Sequence, residues 1–315
     1  MADYIPFNLQ TESGEKSYWA AILAKKAVVY IVCILLTLMC VLPFLFMFFN
    51  ATKSKIELGN ATVAWWPSLP ENSLLGSLLP SKSFSNNWTT LFVKDIGGMK
   101  LPFVNAFLNS FIISASSTLL SVYFSSLTAY GFTAYRFRGG KVLYGFVLAV
   151  MMIPAQISIL GFIGLMKSFH WYGSFLPLII PAVAAPATVF FMRQYMSATL
   201  SLELVEAGRI DGCTEFGIFN RLVLPILTPG MATMAIFAMV ASWNSLFGPT
   251  MLLGGEDAKK YTVPMLVDMI KSNKYAPEIG AMYLGLSATA VPLIVFYLIL
   301  SRYIIAGVAL GGIKE

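Results

Sequence analysis

The sequence predicts an all-α membrane protein with six transmembrane helices, and three observations carry that expectation. The 315 residues are 57% hydrophobic and only 11% charged, with a mean hydropathy of +0.75, whereas soluble domains carry roughly 25% charged residues. Six uncharged apolar runs reach about 20 residues, the length at which a helix covers the roughly 30 Å hydrocarbon core. None alternates with the period of two that a barrel strand needs, and a backbone in lipid must satisfy its own hydrogen bonds.

The runs fall at 27–49, about 106–130 within an uncharged stretch of 103–135, 142–166, 171–192, about 231–253, and 279–301. About 26 largely polar residues precede the first, which is too long for a cleavable signal core and reads as a retained anchor. The expected organisation is a cytoplasmic segment 1–26, a first helix 27–49, an extracytoplasmic loop 50–102 and a core transmembrane domain 103–309. A cytoplasmic loop at about 197–229 interrupts the core, and residues 310–315 form a cytoplasmic tail. Pro177, Pro181 and Pro186 in the fourth run, and Pro249 in the fifth, mark places where helical hydrogen bonds break. Both termini are placed inside, because the short connection YRFRGGK carries three positive charges and all six arginines then lie on the cytoplasmic side.

Several chemistries are excluded. A single histidine, His170, beside Trp171 and Tyr172 at a span end, and three dispersed cysteines, Cys33, Cys40 and Cys213, build neither a metal cluster nor a disulfide framework. The cysteines are expected to pack as small apolar side chains. No catalytic residue set and no metal site is read from the chain. The only Gly-Lys pair, Gly140-Lys141, is followed by Val142 and lacks the upstream glycine of a phosphate loop, so the chain is not an ATP-driven motor by itself. No ionisable residue lies inside a run, which favours a neutral cargo. A stand-alone secondary transporter or channel for a small neutral solute stays open as the alternative, since sodium sites can be built from carbonyls and hydroxyls. Asn50, Asn60 and Asn87 begin NxT triplets on the outer side.

One segment breaks the apolar pattern. Residues 205–227 read VEAGRIDGCTEFGIFNRLVLPIL. Ser201 suits the cap of a short helix from Leu202, with Glu203 in its first turn. Gly208 and Gly212, four apart, would share a face and bare the backbone there, and Gly212 suits the turn that ends the helix. Thr214 would cap a second helix in which Phe216, Phe219, Val223 and Ile226 form a stripe, with Pro225 and Pro229 marking the bend into the fifth span. Three readings fit: an amphipathic surface loop, a nucleic-acid-binding helix-turn-helix, or a docking element for a cytoplasmic partner. Glu203, Glu206, Asp211 and Glu215 outnumber Arg209 and Arg221, which opposes a nucleic acid. The glycine spacing favours docking.

Glu206-Ala207-Gly208, three residues, Gly212, nine residues, Leu222, one residue, then Leu224-Pro225 resembles the EAA motif of the permease subunits of bacterial ABC importers, EAA-x3-G-x9-I-x-LP. It departs from that pattern at Gly208, where the motif has Ala, and at Leu222, where it has Ile. NSFIISASSTLLSVYFSSLTAYGFTAYRFRG from Asn109, MMIPAQISILGFIGLMKSFHWYGS from Met151, WNSLFGP from Trp243, TVP at Thr262 and the terminal GGIKE resemble the carbohydrate-uptake, maltose-type branch of six-span subunits, so that residues 100–315 are covered. The resemblance implies an importer permease fold in a bacterial cytoplasmic membrane. It implies that the loop is a coupling helix against a cytoplasmic ATPase, with Glu206, Ala207, Gly208, Asp211, Gly212, Leu224 and Pro225 as the docking set. Its implied partners are a second, related permease, two ATPase subunits that hold the ATP and magnesium, and an extracytoplasmic solute-binding protein; no cofactor is expected on this chain. The implied cargo is a sugar or oligosaccharide. Hydrogen-bonding groups in or near the spans, Asn109, Ser114, Ser117, Ser121, Gln156 and Asn244, with Tyr123 and Trp243 as aromatic faces, are candidates for its path; each also suits plain interhelical packing.

Overall fold

A computed structural model describes residues 12–54, 58, 82–92, 95–96, 99–100, 103–254, 257–272 and 278–311. Asn60, most of the outer loop, the first eleven residues and most of the C-terminal tail lie outside the described residues. In chain order the elements are α1 (Glu12–Asn50), α2 (Phe84–Phe92), a two-residue antiparallel hairpin of β1 (Asp95–Ile96) and β2 (Met99–Lys100), and α3 (Phe103–Ala134). Then come α4 (Gly140–Met151), α5 (Ala155–Ser168), the short α6 (Leu176–Ile179) running into a 3-10 turn (Ile180–Val183), α7 (Pro186–Thr199) and α8 (Leu202–Ile210). The rest is α9 (Glu215–Ile218), a π-helical turn (Phe219–Val223), α10 (Leu224–Trp243), α11 (Phe247–Leu253), a 3-10 turn (Ala258–Lys260), α12 (Val263–Ser272) and α13 (Ile279–Gly311).

Among the described residues five helical stretches are long and apolar enough to cross a membrane: Tyr18–Asn50, Phe103–Ala134, Leu176–Thr199, Glu215–Trp243 and Ile279–Tyr303. The third expected span departs from a single helix. It folds as α4 and α5, of 12 and 14 residues, because Pro154 has no N–H to give and drives the preceding Ile153 out of the helical region. The two pieces still traverse the bundle. Tyr144 of α4 lies 3.9 Å beneath the Arg193 guanidinium of α7, while Gly173, just past α5, bonds the Leu252 carbonyl at the end of α11. The fourth span is interrupted as its prolines predict: Ala184 and Ala185 leave the helical region and Pro186 restarts the helix.

The fifth span starts before the expected Met231: α10 begins at Leu224, continuous with the π-turn and α9 ahead of it, and ends at Trp243, with α11 as a separate piece. Pro225 stands in the first turn of α10, and the π-turn just before it takes up the ring and the missing N–H within the continuous helix. Pro229 lies inside the continuing helix.

α3 is the central pillar, packed against α7 and α10 along its length. Ser110, Ser114, Ser117, Ser121 and Ser125 recur at helical spacing and are all buried. Serine is small enough for backbones to approach closely, and its hydroxyl finds a partner across the gap. Ser110 accepts the Val263 N–H at 2.8 Å, the Ser117 and Ser242 hydroxyls lie 3.1 Å apart, Ser121 faces Thr188, and Ser125 reaches the Ala185 carbonyl where α7 begins. Apolar clusters close the pillar at both ends. The one at the start of α3 gathers Leu91, Phe103, Ala106, Leu266 and Ile270; the one at its end gathers Tyr130, Met196, Val205, Phe219 and Leu227.

α1 stands apart. Its 39 residues span about 58 Å at 1.5 Å each, and the helix is exposed along most of that length. Cys33, Cys40 and Cys213 are all exposed, so the expectation that they pack as small apolar side chains is corrected within this chain: among the described residues, no element covers the middle of α1 or the turn holding Cys213. α1 is fastened at its C-terminal end. The buried Asn87 amide of α2 donates to the Ala51 and Lys53 carbonyls, each at 2.8 Å, and a Cβ on Gly280 would overlap that same junction. Asn87 is therefore a staple and not a glycosylation acceptor in the folded chain. Replacing it with alanine removes the donor that the buried Ala51 carbonyl uses, at about 1–3 kcal/mol for a buried group left unpaired. Asn87→Ala is expected to lower the thermal unfolding midpoint of the detergent-solubilised protein by several degrees, and an unchanged midpoint would remove the staple.

Candidate functional site

The polar segment folds as a helix, a turn and a second helix that runs unbroken into the fifth span. α8 ends as its sequence dictates. Gly212 adopts φ +75°, its N–H bonds the Arg209 carbonyl, and the Cys213 N–H bonds the Gly208 carbonyl, the paired closure of a Schellman motif. Thr214 then caps α9, accepting the Gly217 N–H at 3.2 Å. Ser201 occupies the cap position of α8 with extended backbone, but its hydroxyl bonds no backbone N–H.

The glycines do not share an open face. Gly208 is buried, and a Cβ there would stand 3.0 Å from Leu222 and 3.2 Å from Ile218, so its bare backbone serves the packing of α8 on its own second helix. Gly212, by contrast, borders open space. Val205 and Gly208 form the buried edge of α8, while Glu206, Ala207, Asp211 and Gly212 are exposed on the other side. Glu206 has no ion-pair partner among the described residues. Leu224 is half-buried against the cluster around Tyr130 and Pro225 is exposed beside it. The second helix buries Ile218, Phe219, Val223 and Leu227; Phe216, expected in that stripe, is 63% exposed.

A polar joint fixes α8 against α9 and α3. Arg209 Nε donates to Glu215 Oε1 at 2.6 Å, and the Tyr130 hydroxyl of α3 donates to Glu215 Oε2 at 3.1 Å. The Arg209 guanidinium also lies 5.3 Å from the Tyr135 ring centre. The hydrogen bond to Glu215 raises the Arg209 guanidinium further above its ordinary value, and burial, then Glu215, hold the Tyr135 phenol above its own. The joint is therefore a charged pair flanked by neutral phenols at physiological pH. Two turns along α3, the Tyr123 hydroxyl donates to Asn220 Oδ1 at 3.0 Å. The rings of Tyr123 and Tyr130 lie 5.8 and 5.5 Å from that of Phe219.

The candidates for a solute path separate. Asn109 donates to the Lys259 and Tyr261 carbonyls at 2.7 and 3.0 Å; Ser114, Ser117 and Ser121 belong to the buried stripe of α3; Tyr123 belongs to the joint. The Gln156 side chain lies outside the described residues, and its backbone opens α5. Trp243 and Asn244 remain together beside a cleft of about 410 Å³ that also takes in Asp268, Lys271 and Thr289, with Trp243 itself buried.

Two features of the site were missed in the sequence. Ile210 is 86% exposed on the open side of α8, and its phase opposite Val205 was a readable signal. Tyr130 carries none, because its partner Glu215 is 85 residues away.

Comparisons with known proteins extend the geometry. Residues 117–309 match the family described as binding-protein-dependent transport system inner membrane component. The arabinooligosaccharides transport system permease protein AraQ of Halalkalibacterium halodurans is 35% identical over 265 residues, covering 81% of this chain and 92% of that one. The sn-glycerol-3-phosphate transport system permease protein UgpE of Escherichia coli K12 is 26% identical, covering 73% and 82%. A crystal structure of a bacterial ABC transporter involved in the import of the acidic polysaccharide alginate superposes with a TM-score of 0.71 at 18% identity, covering 95% of this chain and 99% of its own, which shows a common fold. With the polytopic helical architecture and the glycine-turned loop that leads into the fifth span, the match over residues 117–309 places the chain in the family of inner membrane components of binding-protein-dependent transport systems.

Proposed function

We propose that this chain carries a sugar or oligosaccharide across the membrane as one of two permeases of an ABC importer, and that α8 is the coupling helix on which a cytoplasmic ATPase subunit acts. The observation that carries the reading is the presentation of α8. Its exposed side offers Glu206, Ala207, Asp211 and Gly212 outside the bundle, and its buried side is locked to a helix continuous with a membrane span. Closure of the ATPases would move that helix as a lever and change the side to which the path opens. Gly208 supports the docking surface from behind, and Leu224 and Pro225 set the joint with the fifth span. Both termini then lie in the cytoplasm, with the ATP and magnesium on the ATPases and a solute-binding protein at the outer loops.

The carbohydrate assignment draws on relatives whose names specify arabinooligosaccharides and alpha-glucoside transport. The cleft beside Trp243 supports it, because Asn244, Asp268, Lys271 and Thr289 offer hydrogen-bonding groups that suit a hydroxylated solute. The test is composition and energy source. The tagged chain, purified with its host's proteins, is expected to bring down a second permease and two ATPase copies, and proteoliposomes of the complex to import labelled arabinotriose or maltotriose only with ATP. Gradient-driven uptake by the purified single chain would overturn the reading in favour of a secondary transporter.

A further inference from the structure

We propose that Arg209 and Glu215 are positioning residues of a polar joint that passes displacement of α8 to the central helix α3, as well as to the fifth span into which the loop runs. The proposal rests on the coupling reading of α8 and adds a second route for its motion.

Chain continuity gives the first route, from α9 through the π-turn into α10. The second is side-chain geometry. Tyr123 and Tyr130 are seven residues apart, two turns along one face of α3. Their rings enclose Phe219 at 5.8 and 5.5 Å, and their hydroxyls close on the flanking polar residues, Asn220 at 3.0 Å and Glu215 at 3.1 Å. The helix that follows α8 is thereby gripped at two heights. Arg209 completes the connection, because its guanidinium holds the other oxygen of the same carboxylate at 2.6 Å. One carboxylate thus bonds both the docking helix and the pillar.

The chemistry suits transmission better than cohesion. The Arg209 and Glu215 side chains are 36% and 42% exposed, and ion pairs that open to solvent add little to stability. What they add is direction: a guanidinium donates in a planar fork, so the pair restrains rocking of α8 about the packing of Gly208 on Ile218 and Leu222. α3 in turn contacts α7 and α10 along the serine stripe, so a push delivered to Tyr130 reaches the interior of the bundle without passing through the kinked fourth span.

The experiment uses the assembled importer in nanodiscs, with the three native cysteines replaced by serine and nitroxides at Glu203→Cys on α8 and Thr128→Cys on α3, both exposed positions. Inter-label distances are compared without nucleotide and after trapping with ATP and vanadate. With Arg209 and Glu215 intact, the distance is expected to stay the same in both states, because α8 and α3 move together. In Arg209→Ala the trapped state is expected to show a shifted distance and about a twofold broader distribution, as a freed joint would give. Arg209→Lys should recover part of the coupling, and the exchange Arg209→Glu with Glu215→Arg most of it, since the tyrosine hydroxyl accepts as well as donates. Should Arg209→Ala not assemble, Glu215→Gln carries the same expectation at equal volume. Unchanged distances in both single variants, or an exchange no better than either, would overturn the joint. Absence of ATPase subunits from the unsubstituted complex would instead sink the coupling reading on which it rests.

Discussion

Glu206→Lys is expected to abolish ATP-driven uptake while leaving the chain folded and in the membrane. Glu206 is exposed and has no ion-pair partner among the described residues, so its removal costs the isolated chain almost nothing. Its effect belongs to the complex. In a docked coupling helix the carboxylate would be covered by the ATPase and paired with a basic residue there. Removing one partner of a fully buried pair costs about 3–5 kcal/mol, and a like charge in its place adds repulsion. At about 1.4 kcal/mol per factor of ten, the lysine variant should bind the ATPase at least a hundredfold more weakly. Glu206→Gln, which keeps a hydrogen-bonding group of the same size, should lose less. The measurements are co-purification of the ATPase with the tagged chain and uptake by proteoliposomes. A lysine variant that holds its ATPase and transports normally with ATP would show that α8 docks elsewhere or not at all.

The positions of the spans were legible because lipid allows few solutions: an uncharged run of about 20 residues has to be a helix. Where each helix ends or breaks was less legible, because proline has opposite meanings by position. Pro154 splits the third span and Pro186 restarts the fourth, yet Pro225 sits harmlessly in a first turn and Pro229 inside a continuing helix. No window of local sequence separates these cases; the π-turn ahead of Pro225 decides one of them. The turn chemistry of the loop was readable for the converse reason. Thr214 and Gly212 act within three or four residues of themselves, so their roles as cap and left-handed stop survive into the structure.

Packing across the loop was not readable. That Gly208 faces inward depends on the angle between α8 and α9, which Ile218 and Leu222 set from the far side of the turn. That the serines of α3 bond other helices depends on which neighbours the fold brings to them. The same holds for Tyr123, which reads as a free aromatic face in the sequence and whose hydroxyl is spent on Asn220 in the structure.

Gly208→Leu is expected to match Glu206→Lys in its loss of transport, by a different physical route. A Cβ at this position would meet Leu222 at 3.0 Å and Ile218 at 3.2 Å. One methyl group asks those side chains to yield by a few tenths of an ångström, and both are flexible, so Gly208→Ala should be tolerated; the EAA motif that this segment resembles carries alanine there. A leucine has nowhere to go. Overpacking of this kind costs typically 1–3 kcal/mol, and relief is available only by levering α8 away from α9, since Ile218 and Phe219 are fixed in the cluster around Tyr130. The displaced helix would carry Glu206 and Ala207 out of register with the ATPase and pull Arg209 from Glu215. Gly208→Leu should therefore fold with a lowered unfolding midpoint, lose its ATPase on purification and import nothing, while Gly208→Ala keeps most of the uptake. Equal activity of the two variants would mean that the contact with Leu222 and Ile218 does not set the posture of the docking helix.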